Sequence, residues 1–182
     1  MPVIISLLRA VNLGTHNKIK MDELRRLYES LGLQEPKTFI QSGNVVFRGK
    51  EPNLTKLTKR IEDAIENKFG FHSDVILRTV SEMSEIVRRN PFGKRSGIDS
   101  NKLVVTFFAT NFPLDTREKL EKIGADPEEV RLADRELYIY FPNGQGRSKL
   151  VPVLGRILKN TGTARNWNTV TKLLAIAEEL DA

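Results

Sequence analysis

The chain has 182 residues, 29 of them Lys or Arg and 23 Asp or Glu, for a net charge of +6, and it has no cysteine. That length suits one large or two small domains, and 40% apolar with 29% charged residues is the composition of a folded chain rather than a disordered one. The lack of cysteine excludes a disulfide framework, a thiolate nucleophile and a thiolate-built zinc site.

The first apolar run, Val3 to Leu8, stops at Arg9, too short for a signal-peptide core or a membrane span. A soluble cytoplasmic protein with no membrane partner is expected. Val3 to Leu8 itself reads as a buried strand. From Met21, apolar residues at Leu24, Leu27, Tyr28 and Leu31 recur at helical spacing, and Gly32 closes the helix. Thr38 to Ile40 and Val45 to Phe47 read as two strands joined at Ser42-Gly43-Asn44. Asn53 caps a helix with Leu54, Leu57, Ile61, Ile65 and Phe69 on one face, ended by Gly70. Asp74 to Arg78 is a fourth strand. The order βαββαβ over residues 1–80 is that of the split-βαβ, or ferredoxin-like, plait.

Residues 81–182 repeat the order less distinctly. A linking helix from Ser81 carries Met83, Ile86 and Val87 and must stop before Pro91. Lys102 to Ala109 is a strand, Thr116 to Ile123 a weak helix, and Glu129 to Ala133 with Glu136 to Phe141 a hairpin around Asp134-Arg135. Leu150, Val153, Leu154, Ile157 and Leu158 mark a helix that ends by Gly162, with Pro152 tolerable in its first turn. Thr163 to Asn166 is a short strand, the least marked of the set, and Val170 to Leu180 a final helix. The expected fold class is α+β: two tandem ferredoxin-like α/β plaits, the βαββαβ order duplicated, with a linking helix and a C-terminal helix.

The charge is uneven along the chain. Between Glu136 and Glu178 there is no acid, while Arg147, Lys149, Arg156, Lys159, Arg165 and Lys172 are basic. Met1 to Met21 and Ile86 to Ile98 are also acid-free and carry Arg9, Lys18, Lys20 and Arg88, Arg89, Lys94, Arg95. Such segments attract anions, although basic residues on a solvated face need do nothing specific.

Topology says which loops meet. The first and second strands of a plait run parallel, which puts Arg9, Asn12, Gly14 and Lys18 beside Gln41, Ser42, Gly43 and Asn44. These side chains suit an anion or an amide-bearing ligand, and equally suit plain turn chemistry. In the second half, Pro142 to Lys149 should lie beside Arg165-Asn166-Trp167-Asn168-Thr169. A Gly-rich loop between strand and helix can cradle an anion, but the P-loop spacing is missing, and Ser148 can simply cap the helix. Trp167 can stack a planar ligand or close the core edge. The candidate ligand-binding residues are therefore Arg9, Asn12, Lys18, Gln41, Ser42, Asn44, Arg147, Ser148, Lys149, Arg165, Asn166, Trp167 and Asn168.

Tyr138 and Tyr140 share one face of a strand next to Phe107 or Phe108, the placement RNA-recognition plaits use to stack bases. The RNP1 string is missing, which favours a packing role. His16 and His72 are the only histidines, no Ser-His-Asp set can be assembled, and the polar clusters contain no Asp or Glu. Carboxylate catalysis, a metal site and a cofactor are not expected.

Several strings then stand out together: Leu8 to Gly14 with Lys18 and Met21, Phe39 to Phe47, Phe69-Gly70, Arg78-Thr79, Asn90-Pro91-Phe92, Leu137-Tyr138, Gly146 to Leu150, and Thr163 to Leu173. With them the chain resembles the bacterial family catalogued as domain of unknown function 1697. The resemblance implies a duplicated α/β plait and no established activity, cofactor or catalytic residue. His16 falls where that family often has Gly or Lys, which argues against a catalytic role for it. The functional expectation is binding of a phosphate- or nucleotide-like anion through the basic, Asn-rich loops. Binding of single-stranded nucleic acid and an enzyme of unidentified type stand as alternatives, and oligomeric state and the number of sites stay open.

Overall fold

A computed structural model of the chain describes residues 1–160 and 162–182. It forms two compact units, residues 1–85 with 172–182 and residues 86–171. The class is mixed α+β, with two four-stranded antiparallel sheets and six α-helices among the described residues.

The first unit runs β1 (Val3–Leu8), α1 (Met21–Ser30), β2 (Gln34–Thr38), β3 (Asn44–Arg48), α2 (Leu54–Phe69) and β4 (Val75–Thr79), with strand order β2-β3-β1-β4. β1 is central because it is apolar on both faces. Ile4 and Leu8 join Val45, Phe47, Val75 and Leu77 in the core that also takes in Leu24, Leu57 and Ile61 of the helices. Val3, Ile5 and Leu7, on the other face, are buried too. An unbroken apolar run, rather than an alternating one, is the mark of a strand buried on both sides. Ser6 interrupts the run, and its hydroxyl shares a 2.7 Å hydrogen bond with the buried phenol of Tyr28. Burial pushes that phenol's pKa well above its usual value, against the smaller opposing effect of the bond to Ser6.

Asn53 caps α2 as expected, its Oδ1 accepting from the Lys56 N–H at 3.0 Å, and Gly70 ends the helix in the left-handed conformation at φ +80°. The second strand lies earlier than its predicted place at Thr38 to Ile40. It is an edge strand of polar sequence, Gln-Glu-Pro-Lys-Thr, in which only Pro36 is buried, so no apolar run announces it. Its register shifts between Gln34 and Lys37, the kind of edge irregularity that tolerates a proline. Ile40 is exposed, with φ +50°.

α3 (Val80–Arg88) follows. The second unit then builds β5 (Leu103–Phe107), α4 (Leu114–Glu121), β6 (Glu129–Leu132), β7 (Glu136–Tyr140), α5 (Leu150–Ile157) and β8 (Thr163–Asn166), with order β6-β7-β5-β8. Its helix-side core joins Val104, Leu137 and Ile139 to Leu120, Leu150 and Leu154. α5 stops at Ile157, with Leu158 already extended, well short of Gly162. α6 (Trp167–Asp181) starts earlier than the predicted Val170, because Asn166 Oδ1 accepts from the Asn168 N–H at 2.9 Å and caps it. The first unit extends to Glu85, past the predicted boundary at residue 80, and residues 172–182, expected with the second half, group with it. There the Arg48 guanidinium donates to the Leu180 carbonyl. Among the described residues no helix is long and apolar enough to cross a membrane.

Candidate functional site

In the first unit the loop after β1 and the β2–β3 connection do meet. Asn12 Nδ2 donates to the Ile19 carbonyl at 3.0 Å and the Gln41 carbonyl at 2.7 Å, while its Oδ1 accepts from the Ile19 N–H at 2.9 Å. The side chain thus ties the two loops together. Asn44 is buried and donates to the Phe39 carbonyl and to Ser42 Oγ, and the Leu8 N–H donates to the Gly43 carbonyl.

Asn12, Lys18 and Gln41 line an open groove of about 580 Å³ together with Lys20 and Arg25, but Asp22 and Glu23 line it as well. Arg9 does not line it. Its guanidinium pairs with Asp74 at 3.4 Å. The first cluster, acid-free in sequence, is therefore not acid-free in space. Acids from the first turn of α1 and from the segment before β4 come to it.

Asp74 belongs to a group that the sequence spacing did not reveal. His72 Nε2 lies 2.9 Å from Asp74, its Nδ1 lies 3.6 Å from Glu66, and Glu62 Oε1 accepts from the Val75 N–H at 3.0 Å. The hydrogen bond to Asp74 holds the imidazole's pKa above its ordinary value. Ligand atoms of Glu62, His72 and Asp74 lie within 4.8 Å of one another. Arg9 and the Val75 N–H already occupy two of those carboxylates, so the group stands as a half-exposed ion-pair network.

In the second unit, the turn after β7 and the end of β8 also meet. A cleft of about 150 Å³ lies between Gly144, Gln145 and Asn166, with Asn101 and Lys102 beside them and Val104, Phe141, Ala164 and Arg165 completing the lining. Lys102 Nζ donates to the Pro142 carbonyl at 2.8 Å. Asn166 Nδ2 donates to the Asn101 carbonyl at 2.9 Å, and Asn168 Nδ2 donates to Asn101 Oδ1 at 2.8 Å. Asn101 and Lys102 were missed by sequence reasoning because one precedes the predicted strand and the other opens it, so both look like its polar lead-in.

Of the predicted residues, Arg165 and Asn166 line this cleft, whereas Arg147, Ser148, Lys149, Trp167 and Asn168 do not. Ser148 Oγ accepts from the Leu150 N–H at 3.1 Å, at the start of α5. Arg147 and Lys149 are exposed, and Trp167 is half-buried at the start of α6. Arg165 is buried, pairs in register with Val105, and donates from Nη1 to the Ala164 carbonyl at 2.9 Å. Burial pushes its pKa down to about 10. Arg78 does the same in the first unit: it pairs with Ile5, is buried, and donates from Nη1 to the Leu77 carbonyl at 3.0 Å.

Tyr138 and Tyr140 are both buried. The Tyr138 hydroxyl donates to the Ile86 carbonyl at 2.6 Å, and the Tyr140 ring lies 6.0 Å from that of Phe92. These rings pack the fold and leave no open stacking platform on that strand.

The search of curated proteins finds no match to this chain. Among solved structures, the conserved bacterial protein SP0830 from Streptococcus pneumoniae aligns with TM-score 0.79 at 19% identity, over 97% of this chain and 98% of that one. At that identity the likeness speaks to the fold alone. A family model described as protein of unknown function (DUF1697) matches residues 1–138, a stretch that takes in the strings from Leu8 to Tyr138 but stops short of Gly146 to Leu150 and Thr163 to Leu173. With more than half of its length matched, the chain belongs to the DUF1697 family.

Proposed function

We propose that the protein is a binding module for a small phosphate- or nucleotide-like anion, held in the second unit at the cleft between residues 144–145 and the end of β8. The frame would be two ferredoxin-like plaits in tandem, which the matching strand orders β2-β3-β1-β4 and β6-β7-β5-β8 support. The observation that carries the reading is the lining. The cleft has two basic residues and four amide- or glycine-bearing positions and no acid, whereas the first unit's groove mixes three cations with Asp22 and Glu23. An anion entering it meets the Lys102 ammonium, now resting on the neutral Pro142 carbonyl, and adds charge–charge attraction to the hydrogen bond. The space suits one phosphate or carboxylate group, not a whole nucleotide, so any base would lie outside.

Thermal melting in the presence of phosphate, sulfate and nucleotides tests the reading. A ligand at ten times its Kd stabilises by about 1.4 kcal/mol, or a rise of roughly 3–5 °C for a chain of this size. Lys102→Gln should lose most of that rise. The absence of stabilisation by every anion at millimolar concentration would sink the proposal.

A further inference from the structure

Resting on that reading, we infer that the ligand is an amphipathic anion: an anionic head in the cleft and an apolar body, of the order of four carbons, beneath α5. A second cavity of about 110 Å³ lies there, walled by Leu137, Ile139, Val151, Leu154, Gly155 and Leu158. It shares Val104, Phe141, Gln145 and Ala164 with the polar cleft, so the two hollows adjoin, with Lys102 and Asn166 at one end and no charged residue at the other. Apolar walls with a few placed polar groups are the usual make-up of a small-molecule site.

Gly155 lines the hollow and is itself exposed, so it stands at the hollow's open edge. A Cβ built on it would meet nothing within 4 Å, so a side chain can be added there without displacing a neighbour. One turn earlier on the same face, Val151 is 42% exposed, so the rim of the hollow reaches solvent. Its lining is mostly apolar, with Thr106 and Gln145 the polar members, so it favours an apolar guest.

The test is calorimetric titration with inorganic phosphate, butyl phosphate, pentanoate and 1-butanol on the full chain. Each buried carbon should tighten binding about fourfold, so butyl phosphate should bind roughly 250-fold tighter than phosphate. Pentanoate in place of butyl phosphate as the tight ligand would mark a carboxylate head. Gly155→Leu should set a bulky side chain at the hollow's edge and narrow it, so the advantage of butyl phosphate over phosphate should fall below tenfold, with circular dichroism and melting temperature reporting an intact fold. Gly155→Ala should fall between. Phosphate binding with no gain from the alkyl chain, or a gain that survives Gly155→Leu in a folded protein, would overturn the apolar body and leave the anion site standing. Binding of 1-butanol as tight as that of butyl phosphate and pentanoate would instead overturn the anionic head, and the proposed function with it.

Discussion

Asn12 is the residue at which ligand chemistry and loop chemistry make opposite predictions. Its amide makes three hydrogen bonds, at 2.7, 2.9 and 3.0 Å, to the backbone of Ile19 and Gln41. Its own φ is +56°, a conformation asparagine accepts more readily than alanine. Replacing it with alanine removes bonds worth about 1 kcal/mol each and adds about 1 kcal/mol of backbone strain. Ile19 is buried, so its N–H and carbonyl gain no easy solvent in exchange. The expected loss is about 3–4 kcal/mol. With a urea m-value of about 2 kcal/mol/M, the unfolding midpoint followed by circular dichroism should fall by about 1.5–2 M. Asn12→Gly keeps the loss of bonds and removes the strain, so it should recover about 1 kcal/mol of the deficit. A midpoint shift in Asn12→Ala of less than about 0.3 M would refute the argument and return the amide to the list of groups free to meet a ligand.

Gly162→Ala should be strongly destabilising, because φ is +69° and a Cβ would sit 2.7 Å from the Phe107 carbonyl oxygen; a melting temperature within a degree of wild type would show that the close approach is not real. His72, whose imidazole pKa the hydrogen bond to Asp74 raises, adds stability that is complete below its unfolded pKa and is lost as pH rises through the folded one. Its proton NMR titration should therefore have a midpoint above 6.5, moving down in Asp74→Asn, and an unchanged midpoint in that variant would count against the pair. Arg165→Ala and Arg78→Ala should lower the melting temperature by similar amounts, about 3 kcal/mol each for a buried charged group removed from its partners; loss of anion binding in Arg165→Ala at an unchanged melting temperature would make Arg165 a ligand group instead.

The elements legible in the sequence are those whose burial is written as apolar periodicity. β1 shows its burial as an unbroken apolar run, α1 and α2 show theirs on every turn, and Asn53 and Gly70 mark the ends of α2. β2 was misplaced because an edge strand with one buried residue has no such pattern. For the site, sequence order carried the loop after β1 to the β2–β3 connection and the 144–145 turn to Asn166, since topology decides both. It failed where the partner came from a distant stretch. Asp74 pairs with Arg9 from the segment before β4, which a count of acids along the chain cannot see. Asp22 and Glu23 stand just past the acid-free stretch and line the same groove as Lys18. Arg165 was read as a loop cation because nothing in a run of Arg, Asn and Trp signals that its side chain is buried.

The matching strand orders of the two sheets separate what the fold needs from what it is free to vary. Arg78 and Arg165 stand opposite the third residue of their unit's first strand, and each donates to the carbonyl of the residue before it. A buried group that recurs in both units at the same register position belongs to the frame. The units differ after the third strand. In the first unit residues 49–53 lead directly into α2, whose 16 residues include Leu57, Ile61 and Ile65, all fully buried, and Gly49 is packed against Phe47, Ile4 and Leu33. In the second unit residues 141–149 make a longer turn into α5, which has only 8 residues and carries Gly155 over the sheet. A longer connection and a shorter, glycine-bearing helix on the same frame open the polar cleft and the apolar hollow side by side. The frame explains why Arg165 is buried; only the divergence explains why Lys102, Gln145 and Asn166 surround open space.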